Sequence, residues 1–268
     1  MGREEVCKKG CSLGEARERS FWRDLAAEFV ATFLLVSVQC ALPLTWGRND
    51  IGSGIHTALG MTFIVTTTLW SLSEFGGIHM NPALSLSMMC VRRISIFRGL
   101  VYMVVQSAGG VAGAALIWGL TPEQFRETLA STELNPSMTV WQGLGVEIWL
   151  TFNLILTLHG CTYTGRKVNI LMFSVPIGMA VGTGVLSGFA STGASMNPAR
   201  SLGPAVMMGK WDHHWIYWVG PCLGSVLATF TYYVVFDKPD KNQKASHGTK
   251  PSKACPCMML MTWLQYLF

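Results

Sequence analysis

Two stretches of the chain decide the fold: "GGIHMNPALSLSMM", Gly76–Met89, and "STGASMNPARSLGPAV", Ser191–Val206. Each carries Met-Asn-Pro-Ala and then, one residue on, Ser-Leu, and Asn81 and Asn197 lie 116 residues apart. A proline at the first position of a helix loses nothing, because that N–H has no helical partner. An asparagine before it is a favoured N-cap. Each motif therefore starts a helix, over the apolar runs Ala83–Met89 and Ala199–Met207. Neither run is long enough to cross a bilayer, which takes roughly 20 residues.

The surrounding sequence supplies the membrane. The 268 residues are 50% hydrophobic and 13% charged, against about a quarter charged in an ordinary soluble domain. Mean hydropathy is +0.36. Phe29–Leu44, Ile55–Leu72, Leu100–Leu120, Trp141–Leu158, Ile170–Leu186 and Trp215–Phe236 are long apolar blocks parted by short polar stretches. Backbone in lipid must satisfy its own hydrogen bonds, and blocks this continuous exclude the every-second-residue alternation of a barrel. The expected fold class is an all-α membrane protein, with six transmembrane helices and two re-entrant half-helices.

Charge sets the expected orientation. With the N-terminus inside, sixteen of the twenty Lys and Arg fall on the inner side, and Arg48, Arg126, Arg200 and Lys210 on the outer. The positive-inside rule then puts both termini in the cytoplasm. The net charge of +5 answers to anionic lipid. It does not point to nucleic acid, for which a basic, aromatic-interleaved domain is missing. Residues 1–20 read as a cytoplasmic tail with no short apolar core of a signal peptide. Residues 238–268 read as a second cytoplasmic tail, charged and disordered at first and apolar at its end. Cys7, Cys11, Cys255 and Cys257 fall in these tails without the partners a zinc site needs. No metal or other cofactor is expected. Cys40, Cys90, Cys161 and Cys222 read as buried small hydrophobes.

The two halves repeat. "AEFVATF" at Ala27–Phe33 and "VEIWLTF" at Val146–Phe152 both read Glu, three residues, Thr-Phe. Glu28 precedes Asn81 by 53 residues and Glu147 precedes Asn197 by 50. Residues 21–237 are thus expected to form one domain of two three-helix repeats, about 21–120 and 140–237. An odd number of spans inverts the second copy, and such repeats build a path at their interface near the midplane. Inversion brings the half-helices in from opposite faces, N-terminus to N-terminus. Two positive dipole ends then face one spot. The amides of Asn81 and Asn197 can donate to a passing water, while a cation or proton meets positive potential. Carboxylates within a span are costly and need polar partners. Glu28 and Glu147 are expected to accept from backbone N–H groups of the loop entering each half-helix, and His79 is expected to be buried beside it.

The chain resembles the major intrinsic proteins, the aquaporin family. The resemblance rests on "AEFVATF", "GGIHMNPALSL", "ISIFRGLVYMVVQ", "ASTGASMNPARSLGPAV" and "HHWIYWVGPCLGS", and covers roughly residues 20–237. It implies the aquaporin fold and a homotetramer with one pore per subunit. It makes the two Asn-Pro-Ala segments (Asn81, Pro82, Ala83 and Asn197, Pro198, Ala199) the centre of the pore. It also implies an outer constriction of four side chains, of which Arg200 matches the family's arginine. Carried over by spacing, the other three are Met61, 20 residues before Asn81, and Val185 and Ala194, 12 and three residues before Asn197. Strict water channels resembling this chain have Phe, His and often Cys there. A thioether and short aliphatics make a wider, greasier ring, so water and small uncharged solutes such as glycerol and urea are the expected permeants. The alternative is a strictly water-selective channel. A register shift of two would put Phe63 in place of Met61.

Two other classes are weaker. A secondary transporter would need coupling-ion sites, and the spans offer no carboxylate beyond the paired Glu. An enzyme would need bases from His159, His213 and His214, which sit at span ends without a nucleophile or carboxylate. The expected place is an integral, multi-pass protein of the plasma membrane.

Overall fold

A computed structural model describes residues 13–46, 54–126, 128–162 and 169–236. Arg3, Lys8, Lys9, Cys7, Cys11, Arg48, Arg166, Lys167, Cys255, Cys257 and the segment 238–268 lie outside the described residues. The helices are α1 (Arg19–Ala41), α2 (Gly54–Leu72), α3 (Pro82–Cys90), α4 (Ile96–Leu120), α5 (Val140–Thr162), α6 (Ile170–Thr192), α7 (Pro198–Met208) and α8 (Ile216–Val235). Six of them are long and apolar enough to span a membrane; α3 and α7, at 9 and 11 residues, are not.

The helices pack as two copies of one arrangement. In the first half α1 lies against α4, and in the second α5 lies against α8. Each half-helix packs across the boundary: α7 sits on α4 and α3 sits on α8. The halves meet where α2 crosses α6. A Cβ at Gly178 would lie 2.0 Å from Thr66 Oγ1, and one at Gly182 1.9 Å from Thr62 Oγ1. Adding 116 to 62 and 66 gives 178 and 182, so these two contacts are images of each other under the inversion. Small residues let helices approach closely where lipid gives no hydrophobic drive. The same device recurs within each half: a Cβ at Gly113 would meet the Phe33 carbonyl at 2.5 Å, and one at Gly224 the Ile148 carbonyl at 2.3 Å.

Apolar side chains face both ways. Phe63, Trp70, Trp149, Val104 and Leu171 are exposed on the outside, while Ala31, Leu35, Val65, Leu154, Ile155 and Leu158 are buried inside. Folded structure starts before the tail boundary read from sequence. Residues 13–17 form a 3₁₀ turn, and Glu15 Oε2 there accepts from Arg98 Nε at 2.8 Å. Arg98 Nη1 donates to Asp24 Oδ2 at 2.7 Å, so one guanidinium pins this segment to α1 and α4. Charge spacing gives no warning of an ion pair 83 residues apart in sequence.

Candidate functional site

Both loops that precede the half-helices leave ordinary backbone space. Met80, Ala194 and Met196 have φ of 53°, 51° and 52°, a region that costs a residue with a Cβ about 1–2 kcal/mol. The buried carboxylates offset that cost. Glu28 Oε1 accepts from His79 N at 2.7 Å, and Oε2 accepts from Met80 N at 2.9 Å and Gln106 Nε2 at 2.8 Å. Glu147 Oε1 accepts from Ser195 N at 2.9 Å and Thr192 Oγ1 at 2.6 Å, and Oε2 accepts from Met196 N at 2.9 Å. Gln106 and Thr192 are partners that sequence reading missed. A polar side chain inside an apolar span was their only signal.

The half-helix N-termini then meet. Asn81 Oδ1 accepts from Ala83 N at 2.9 Å, closing the cap, and its Nδ2 donates to the Met196 carbonyl at 2.9 Å. Asn197 Oδ1 accepts from Ala199 N at 3.0 Å, and its Nδ2 donates to the Met80 carbonyl at 2.8 Å. Pro82 and Pro198 occupy the first helical positions. An amide NH₂ carries two donors, so each asparagine keeps one N–H beyond this exchange. A second pair of contacts repeats the symmetry. His79 Nδ1 lies 3.0 Å from Ser85 Oγ, and Ser195 Oγ lies 2.6 Å from Ser201 Oγ; each pair joins the loop to its half-helix.

A narrow cavity of about 40 Å³ runs past this junction. At ~10–15 Å³ per water it holds a few molecules. Its wall includes Met61, Asn81, Ala194, Asn197 and Arg200, with Val65, Ile177 and Val181 from the crossing helices. Val185 is buried one turn beyond Val181 on α6 but is not part of that wall. Phe63, the alternative to Met61, is 63% exposed on the outer face of α2. The cavity shares His79, Leu84, Leu158 and Phe173 with a vestibule of about 530 Å³. Arg98, Asp24 and Glu15 rim that vestibule, at the end of the bundle where α1 begins.

Arg200 stands at the other end of the cavity. Its Nη1 donates to the Ala130 carbonyl at 3.1 Å and Nη2 to the Gly193 carbonyl at 3.0 Å. The guanidinium is held flat by two backbone oxygens, with its Nε buried and without a partner among the described residues. Gly193, in the left-handed conformation, caps α6. Nothing in the sequence around Ala130 marks that carbonyl as a ligand.

The expected absence of a nucleophile beside His159 needs correction. His159 Nε2 lies 2.8 Å from Ser87 Oγ and 3.1 Å from Thr229 Oγ1. All three are buried where α3, α5 and α8 meet, and neither cavity wall includes them. A Ser–His pair closed off from substrate is a helix tie. His214 accepts from Trp218 Nε1 at 3.2 Å. Among the described residues no cluster of His, Cys, Asp and Glu could hold a metal ion.

Comparison with known proteins gives this geometry its place. The family model described as major intrinsic protein matches residues 15–232. The chain belongs to that family. Among curated members, Aquaporin-4 of Mus musculus is 36% identical over 223 residues, covering 81% of this chain and 68% of its own. Aquaporin-2 of Homo sapiens is 37% identical over 230 residues, covering 86% and 84%. The aquaglyceroporin from Plasmodium falciparum superposes with a TM-score of 0.73 at 23% identity, over 79% of this chain and 95% of that one, which is a likeness of fold. This major intrinsic protein is thus a multi-pass membrane channel, a class distinct from enzymes, built on the aquaporin fold with its two halves inverted.

Proposed function

We propose that this channel passes water and small uncharged solutes such as glycerol and urea, and excludes ions and protons. The observation that carries this is the cavity between the facing half-helix N-termini, where Met61 and Ala194 give an apolar wall and Arg200 gives fixed donors. A solute with carbon on one side and hydroxyls on the other matches that split. A cation meets two positive helix ends and a guanidinium on a desolvated path. Met61, Ala194 and Arg200 line the outer constriction, Val185 backs it from one turn along α6, and Asn81 and Asn197 orient water at the centre.

The basic residues, sixteen to four, favour cytoplasmic termini, which makes the Arg98 vestibule the inner mouth and Arg200 the outer one. The family resemblance favours a homotetramer, and the plasma membrane is the location we assign to it. Swelling of liposomes under sucrose, glycerol and urea gradients tests the proposal. Protein-dependent flow in all three, without proton or potassium current, is expected; an ion current would overturn it. A second reading, strict selectivity for water, is favoured by the small volume of the cavity and by the position of Val185 off its wall. Water flow without glycerol flow would decide for that reading.

A further inference from the structure

The side chains along the proposed conduction path include several sulfurs. Met61, Met80 and Met196 all belong to the wall of the 40 Å³ cavity, and Met88 follows in the vestibule. We infer that Met61, Met80 and Met196 are oxidation sites at which a neutral peroxide shuts the pore. The inference rests on the proposed water conduction for its consequence, though not for its chemistry.

Two features make these thioethers a site. Selection comes first. The three residues are only 3–4% exposed, so an oxidant reaches them along the path or not at all. Soft metal ions, which thioethers also bind, are cations and are turned away by Arg200 and the helix ends. Hydrogen peroxide is neutral and makes the hydrogen bonds of water, so what admits water admits it. The second feature is confinement. Met80 and Met196 have both backbone groups engaged, N–H to Glu28 or Glu147 and carbonyl to the opposite asparagine. The Met196 side chain fills the space over Gly184, where a Cβ would fall 2.3 Å from its Sδ and 2.7 Å from its Cε. An oxygen added to that sulfur has no room on the α6 side and turns into the cavity.

The step balances. A sulfur lone pair attacks one peroxide oxygen, an S–O bond forms, and the O–O bond breaks. The departing hydroxide takes up the remaining proton as water. Sulfur loses two electrons and peroxide gains them. The product sulfoxide is polar and bulkier than the thioether. Its oxygen accepts from the spare N–H of Asn81 or Asn197 and displaces the water that would pass there.

The test uses the full chain in liposomes, treated with hydrogen peroxide. Osmotic water flow is followed alongside peptide mapping of each methionine. Oxidation of Met61, Met80 and Met196 ahead of Met89 and the outward-facing Met172, with loss of most protein-dependent flow, is expected. Each variant is compared with its own flow before treatment: with all three changed to Leu, a swap close in volume, the treated vesicles should retain most of that flow, and Met61→Leu alone should retain part. Flow that survives oxidation of the three sulfurs overturns the inference. So does a loss as large in the triple variant, or oxidation of Met89 and Met172 first. Vesicles without water flow before treatment would refute the channel's proposed permeant, and the order of oxidation would still decide the sulfur assignment.

Discussion

Leu84 and Arg200 occupy the same place in the two repeats, each three residues after its asparagine. Around them the halves agree closely. Glu28 and Glu147 hold the loops with paired backbone bonds, Asn81 and Asn197 exchange bonds with each other's loop, and a hydroxyl bond ties residue 79 to 85 and 195 to 201. The scaffold is therefore common to both repeats, and the chemistry is placed on one. Leu84 joins the cavity to a wide vestibule, and Arg200 narrows the opposite mouth with a charge held by two carbonyls. A symmetric frame fixes where the path runs, and a single broken equivalence gives its two ends different tasks.

The scaffold half of that comparison breaks with the largest effect. Glu28→Ala and Glu147→Ala each strand two buried backbone N–H groups, at about 1–3 kcal/mol apiece. Both variants should lose folded protein and flow to a similar degree, measured by monodisperse yield in detergent and by thermal melting. A mild Glu28→Ala beside a severe Glu147→Ala would show that the halves do not share the load.

Changing the outer ring should act on selectivity alone. Val185→His adds bulk and a polar ring beside the Arg200 mouth. A misfit of this size discriminates by about 1–3 kcal/mol, roughly 10–200-fold, so glycerol flux should fall at least about tenfold while water flux stays within a few-fold. Leu69, which corresponds to Val185 in the first repeat, lies on the wall of the narrow cavity itself. Leu69→His should therefore obstruct water and glycerol alike, and a loss of glycerol flux alone would place the selective constriction at Leu69 instead. Arg200→Leu copies the first repeat into the second. It should raise glycerol flux relative to water by a few-fold and admit a measurable proton leak in a pH-dye assay. The smallest effect expected is that of mercuric chloride. Ala194 stands where sensitive relatives carry a pore-lining Cys, and Cys40, Cys161 and Cys222 are absent from the cavity wall, so water flow should stay nearly unchanged.

Most of the scaffold was legible because its signals are local or repeated. Asn-Pro-Ala is a cap followed by a first-turn proline, and a glutamate within an apolar span has few uses. The three-residue step from Asn197 to Arg200 needed only the turn of one helix. What stayed hidden depends on a face or on backbone. Spacing put Met61 ahead of Phe63, but the pattern of α2 itself could not decide between them, because that helix is as apolar toward lipid as toward the cavity. Spacing from the second Asn-Pro-Ala put Val185 among the candidates, yet one turn separates it from the wall. The Ala130 carbonyl, and the left-handed backbone at Met80, Ala194 and Met196, have no signature, since none of these residues is a glycine or asparagine that would mark the turn.

The bonds from Asn81 to the Met196 carbonyl and from Asn197 to the Met80 carbonyl also govern assembly. Synthesis runs from the N-terminus, so the first repeat is made before residue 196 exists. Until then the Asn81 amide and the Met80 carbonyl lack the partners they have in the finished fold, and lipid offers none. The first half-helix is thus a provisional structure that the second completes. A chain cut between the repeats should insert its first three spans, yet recover the water path only when the other half is supplied.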